Sequence, residues 1–147
     1  TSYMESYLTQ NGPLFGPKPK GKTLEDINYG YRIAQQTSSL DIGQTCIVRN
    51  GTILAVEAFE GTNECITRGG ELGHGKNVTM VKVAKYNHDF RFDVPVIGAT
   101  TVKKCAKAGI NTIALEAGRT LILEPDAMSE MAKEHKISIY GIKPNLG

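Results

Sequence analysis

Asn50-Gly51 constrains the fold of this chain more than any other pair of residues. Both tolerate the positive φ angles of a type I′ turn, and they separate two runs rich in β-branched side chains, Thr45 to Val48 and Thr52 to Ala58. The pattern predicts an early antiparallel hairpin. Before it, Thr23 and Asp26 resemble an N-terminal cap, and Ile27, Tyr31, Ala34 and Leu40 recur near helical spacing, which predicts a helix over about 24–39.

After the hairpin, Thr62 is placed to cap a short helix reaching about Arg68, with Gly69-Gly70 to end it. Val78 to Ala84 reads as a strand, and Phe90 to Gly98 as an apolar, strand-like run stiffened by Pro95. Thr100 then caps a helix that closes at Gly109, and Asn111 to Leu115 and Thr120 to Leu123 read as strands. Pro125 opens a last helix to about His135, before a short strand over Ile137 to Tyr140. An early hairpin followed by alternating strands and helices predicts an α/β fold, a mixed sheet with helices packed on it.

A chain of 147 residues with 40% hydrophobic content fits one domain with a moderate core. Residues 1–22 lack periodicity and end in Gly16-Pro17-Lys18-Pro19-Lys20-Gly21, so they read as a linker, and 23–147 as the domain. A start at Thr1 suits a fragment whose upstream domain lies elsewhere. The net charge of +2, scattered along the chain, gives no argument for nucleic acid. Cys46, Cys65 and Cys105 form no CxxC pair, which suits buried packing in a reducing cytosol. No apolar stretch approaches the roughly 20 residues that span a bilayer.

No Walker A loop, GxGxxG, GxSxG or HExxH occurs, so the chemistry falls to scattered acids and bases. Within Phe90 to Gly98, Arg91 and Asp93 are ionisable groups in an apolar run, which are paired, solvated or used. Asp93 is the first functional suspect, and an Arg91/Asp93 pair on a wet edge strand is the plain alternative. Glu57 and Glu60-Gly61-Thr62 place two carboxylates between a strand and a helix N-terminus, an arrangement that suits a phosphate with a bridging metal or simply stabilises the helix dipole. Asp41-Ile42-Gly43-Gln44 lies where the first helix meets the first hairpin strand. Lys82 and Lys85 bracket a strand end, and Glu116-Ala117-Gly118-Arg119 turns tightly after another, where Arg119 forks onto a phosphate or pairs with Glu116. His74, between glycines, is either a phosphate contact or a surface residue, and His88 and His135 read as solvent-facing.

In order, Asp41-Ile42-Gly43-Gln44, Ala55-Val56-Glu57-Ala58 with Glu60-Gly61-Thr62, Val81-Lys82-Val83-Ala84-Lys85, Arg91-Phe92-Asp93-Val94-Pro95 and Glu116-Ala117-Gly118-Arg119-Thr120 resemble the carboxy-terminal domain of the LpxI family, from about Thr23 to Ile142. Those enzymes are the UDP-2,3-diacylglucosamine pyrophosphatases of lipid A biosynthesis in some Gram-negative bacteria. The resemblance implies hydrolysis to UMP and 2,3-diacylglucosamine 1-phosphate, assisted by Mg²⁺ or Mn²⁺, in the cytoplasm at the inner face of the membrane. It also implies an amino-terminal Rossmann-like domain, of which this chain holds at most the trailing linker, and a homo-oligomer. On the matching positions, Asp93, Glu60 and Asp41 are the implied catalytic residues and Asp93, Glu57 and Glu116 the implied metal ligands. Gln44, Thr62, Lys82, Lys85, Arg91 and Arg119 are the implied substrate contacts. A non-catalytic module that binds acylated sugar phosphate, or one that drives self-association, is the competing expectation.

Overall fold

The computed structural model describes residues 6–86 and 92–144. The chain runs β1 (Ser6–Leu8), β2 (Gly12–Phe15), α1 (Lys22–Ser39), β3 (Thr45–Arg49), β4 (Thr52–Val56), α2 (Thr62–Gly73) and β5 (Val78–Lys82). It continues through β6 (Lys85–Tyr86), β7 (Phe92–Asp93), β8 (Val96–Ile97), α3 (Ala99–Ala108), β9 (Thr112–Glu116), β10 (Leu121–Leu123), α4 (Pro125–His135) and β11 (Ser138–Ile142).

Six strands form the central sheet in the order β2-β11-β9-β5-β3-β4. β5, β9 and β11 are mutually parallel, while β3, β4 and β2 join antiparallel, so the expected mixed sheet and early hairpin are both present. A second mixed sheet, β1-β10-β8, and the two-stranded β6-β7 pair complete the strands described.

Side chains alternate across the central strands because successive Cβ atoms point to opposite faces. Ile47, Met80, Ile113 and Ile139 enter a core shared with Ile66, Val102, Cys105, Met128 and Ala132 of α2, α3 and α4. Cys46, Val81 and Ala114 face the other way, against Ile27, Tyr31 and Ala34 of α1. Ile27, Tyr31 and Ala34 of the helical spacing seen in the sequence are therefore the buried face of α1, whereas Leu40 is its exposed C-cap. The N-terminal half of α1 is fixed to the hairpin by Asp26, whose carboxylate accepts the backbone N–H groups of Asn50 and Gly51 at 2.8 Å each.

Four local expectations change. Residues 6–8 and 12–15, read as linker, are strands: β1 pairs with β10 and β2 with β11. Pro13 is compatible with this because β2 is an edge strand, where a missing N–H breaks no interior ladder. α2 does not stop at Gly69-Gly70 but runs on to Gly73. A Cβ at Gly69 would strike Ile47 and one at Gly70 the backbone of Ala108, so these glycines let α2 lie close to the sheet and to the end of α3. Gly21, Gly61 and Gly98, rather than Thr23, Thr62 and Thr100, hold the N-cap positions of α1, α2 and α3. The described part of the Phe90 to Gly98 run, residues 92–98, holds two short strands in different sheets, divided at Val94-Pro95, rather than one.

Candidate active site at one edge of the central sheet

The carboxyl ends of β5 and β9, the start of β3 and the end of β4 all meet at one edge. Register fixes this: Thr45 lies opposite Lys82, and Lys82 opposite Leu115, so Gln44, Lys82 and Glu116 fall in adjoining rows. Glu57 closes the row by donating its backbone N–H to the Thr45 carbonyl at 2.8 Å. In open α/β sheets the crevice beyond the carboxyl ends of parallel strands is where ligands bind.

Glu57 is the centre of the first cluster. One carboxylate oxygen accepts the Gln44 N–H at 3.1 Å, and the other accepts the Thr62 hydroxyl at 3.3 Å. The Lys82 ammonium donates to the same Thr62 Oγ1 at 2.8 Å. Thr62 is free for this because Gly61 takes the N-cap, which leaves its hydroxyl at the first turn of α2, beside amides that favour an anion. Burial holds the Lys82 ammonium below its ordinary pKa, an effect that nearby Glu57 and Cys65 partly offset. Gly43 is required here, since a Cβ would strike the Glu57 carbonyl.

A cleft of about 150 Å³ beside Glu57 is lined by Ser38, Asp41, Gly43, Gln44 and Lys85 as well. Asp41 and Lys85 pair across it at 2.9 Å, both well exposed. The Gln44 side chain donates to the Val83 carbonyl at 3.1 Å, fixing the exit of β5.

The second cluster surrounds Glu116, which is only 2% exposed. Its Oε2 accepts the Tyr31 hydroxyl at 2.7 Å and an Arg119 Nη1–H at 3.2 Å, and its Oε1 accepts the Ala84 backbone N–H at 3.1 Å. A buried carboxylate needs donors of this kind, and here one is a cation. Ser38 donates its hydroxyl to the Ala84 carbonyl at 3.2 Å, so both backbone polar groups of Ala84 are held. The next residue, Lys85, lies opposite Asp93 in the β6-β7 register.

The structure thus gathers Asp41, Gln44, Glu57, Thr62, Lys82, Lys85, Glu116 and Arg119 along one edge and brings the Asp93 backbone to it. The Asp93 side chain and the whole of Arg91 lie outside the described residues, as does His88. Glu60 turns to Arg68, at 2.6 Å on the solvent side. Its own backbone N–H and then the Arg68 guanidinium hold its carboxyl below the usual range. His74 occupies the C-cap of α2 and His135 the last turn of α4, both at the opposite end of the sheet.

Among the described residues no group of three or more His, Cys, Asp or Glu is arranged to hold a metal ion. Glu57 and Glu116 each direct both oxygens at protein donors. The three cysteines are buried and unpaired, and burial pushes each thiol up to about 12, which rules against a thiolate nucleophile. No helix among the described residues is long and apolar enough to cross a membrane.

Tyr31, Ser38 and Thr45 escaped the sequence reading as site residues. Tyr31 had a visible signal: a tyrosine in the apolar stripe of a helix must find a partner for its hydroxyl once buried. Ser38 lies on the same stripe, two turns on.

Comparison with known proteins identifies the family of the chain. Residues 10–140 match the model of the LpxI C-terminal domain. The UDP-2,3-diacylglucosamine pyrophosphatase LpxI of Caulobacter vibrioides is 31% identical over 140 residues, which cover 90% of this chain and 50% of that protein. The chain therefore spans about half the length of the curated relative it matches. With the family motifs converging on one sheet edge and the match running through nearly all of the fold, the chain belongs to the LpxI family and corresponds to its carboxy-terminal domain.

Proposed function

We propose that this chain is the carboxy-terminal catalytic half of an enzyme that hydrolyses the pyrophosphate bond of UDP-2,3-diacylglucosamine. The products are UMP and 2,3-diacylglucosamine 1-phosphate, a step of lipid A biosynthesis. The observation that carries this reading is the gathering of Lys82, Lys85 and Arg119 at one sheet edge, with the Asp93 backbone set opposite Lys85, in a chain of this family.

Hydrolysis of a pyrophosphate needs charge neutralisation on the bridging and leaving oxygens and a group that orients or deprotonates water. Lys82 and Thr62, with the first amides of α2, form one anion subsite, and Arg119 and Lys85 flank a second. Asp93 is the proposed water-orienting base or metal ligand, with Asp41 beside the cleft. Arg91 is a further proposed phosphate contact. Mg²⁺ or Mn²⁺, held by Asp93 with Glu57 in support, would supply Lewis-acid stabilisation of the phosphates. Glu116 serves better as an anchor for Arg119 and Ala84 than as a metal ligand, because three protein donors already converge on it. Glu60, facing Arg68, has a supporting place at the loop before α2 rather than a catalytic one.

The proposal includes an upstream domain that completes the site, homo-oligomeric assembly and peripheral work at the cytoplasmic face of the inner membrane. The deciding experiment is hydrolysis of UDP-2,3-diacylglucosamine with Mg²⁺ by the full-length protein beside its Asp93→Ala variant. We expect turnover in the first and a loss of about 10³-fold or more in the second, with substrate binding retained. A folded wild type without turnover would move the assignment to a non-catalytic binding or self-association module.

A further inference from the structure

We propose that Tyr31 is a positioning residue of this site, acting through Glu116 on both Arg119 and the Lys85 to Asp93 strand pair. The inference rests on the proposed reaction for its kinetic consequence, but its structural content stands apart from it. Tyr31 and Glu116 are 85 residues apart in sequence and joined by a 2.7 Å hydrogen bond in a buried setting. The hydroxyl and the Arg119 guanidinium share Oε2 of Glu116, so the tyrosine fixes the carboxylate against which the arginine lies. The other oxygen holds the N–H of Ala84, the last residue before Lys85.

Ser38 completes the device. It is seven residues after Tyr31, therefore on the same face of α1, and it holds the carbonyl of that same Ala84. One helix thus holds the two peptides that flank Ala84, the following one directly through Ser38 and the preceding one indirectly through Tyr31 and Glu116. Lys85 follows Ala84 directly and lies opposite Asp93, so the corner at Ala84 sets where that strand pair begins. Tyr31 itself reaches no phosphate in this argument. Its effect is to limit where Arg119 and Asp93 sit when the substrate arrives.

The test replaces Tyr31 with Phe in the full-length protein, which keeps the ring in the core and deletes only the hydroxyl. With UDP-2,3-diacylglucosamine and Mg²⁺ we expect kcat to fall about tenfold or more, since small misplacements of reacting groups have effects of this size, while KM changes by less than about twofold. In a double-mutant cycle with Arg119→Lys, the two losses should be clearly less than multiplicative, because both remove the same positioning. A merely structural tyrosine would lower the melting temperature without that coupling. Unchanged kcat, or fully multiplicative losses, overturns the inference.

Amide exchange of Ala84 and the side-chain NMR signal of Arg119 in Tyr31→Phe give the second readout. Loss of protection at Ala84 and averaging of the Arg119 signal support positioning, and retention of both overturns it. If the wild type shows no turnover, the pyrophosphatase reading fails and this NMR result alone decides the inference. Should Tyr31→Phe not fold, Glu116→Gln, which preserves the side-chain shape, is read by the same two measurements with the same outcomes.

Discussion

The two faces of the central sheet hold the molecule together in different ways. The centre of the face under α2, α3 and α4 is apolar: Ile47, Met80, Ile113 and Ile139 share a buried core with Ile66, Val102 and the thiols of Cys65 and Cys105. The face under α1 is equally closed to water at its centre, through Cys46, Val81 and Ala114, but it is bounded by polar contacts. Asp26 holds the hairpin turn at one end of α1, while Tyr31 and Ser38 hold Glu116 and Ala84 towards the other. Non-directional burial gives stability without aiming any particular group, whereas hydrogen bonds fix direction. The apolar centre of the three-helix face therefore maintains the fold, while the polar contacts of α1 aim Glu116 and Ala84 and those at the start of α2 aim Thr62 and Lys82.

The sharpest way to break this contrast is Ile113→Ala in that apolar centre. Deleting a fully buried branched side chain there should cost about 2–5 kcal/mol of stability, read by denaturant unfolding, while kcat of the folded protein stays near wild type. A large kcat loss without destabilisation would make the apolar centre part of the aiming machinery. Next in size, Asp26→Ala removes a charged acceptor of two backbone N–H groups and should cost about 2–3 kcal/mol. Because those bonds lie at the far end of α1 from the site, kcat should again hold, and a kcat collapse would mean that the whole helix, not its Tyr31 to Ser38 half, sets the geometry.

Alkaline titration compares the dryness of the two faces directly. Cys46 lies under α1 and Cys105 under the three helices, and burial pushes both thiols from an ordinary 9.0 up to about 12. Between those values the unfolded chain gives up a proton that the folded chain keeps. The stabilisation is thus complete below about pH 9 and declines as pH rises, by about 1.4 kcal/mol per pH unit for each thiol. Cys46→Ala and Cys105→Ala should flatten the alkaline stability profile equally. If only Cys105→Ala does so, water enters beneath α1. The smallest effect is expected from Asp41→Asn, which breaks an exposed pair with Lys85 and should change stability by about 0.5 kcal/mol or less, vanishing in high salt. A larger change would tie the cleft loop to the fold itself.

What could be read from the sequence was local or periodic. Asn50-Gly51 announced the hairpin, Pro125 and His135 bound α4 as expected, and Gly109 closed α3, because turn chemistry and helix termini are determined by neighbouring residues. Most candidate site residues were also visible as acids and bases at strand ends. Their division of labour was not, since Glu57 and Glu116 look alike in sequence. One is linked through Thr62 to Lys82, and the other is sealed among Tyr31, Ala84 and Arg119.

Tertiary structure alone decided the remainder. Residues 6–8 and 12–15 become strands only because β10 and β11 offer them edges, and α2 passes through Gly69-Gly70 only because Ile47 and Ala108 press against it. The Tyr31 to Glu116 bond joins positions whose closeness depends on strand order. Local free energies choose the elements, but which buried polar group finds which donor is settled by the packing of those elements, where leaving either partner unpaired carries the larger cost.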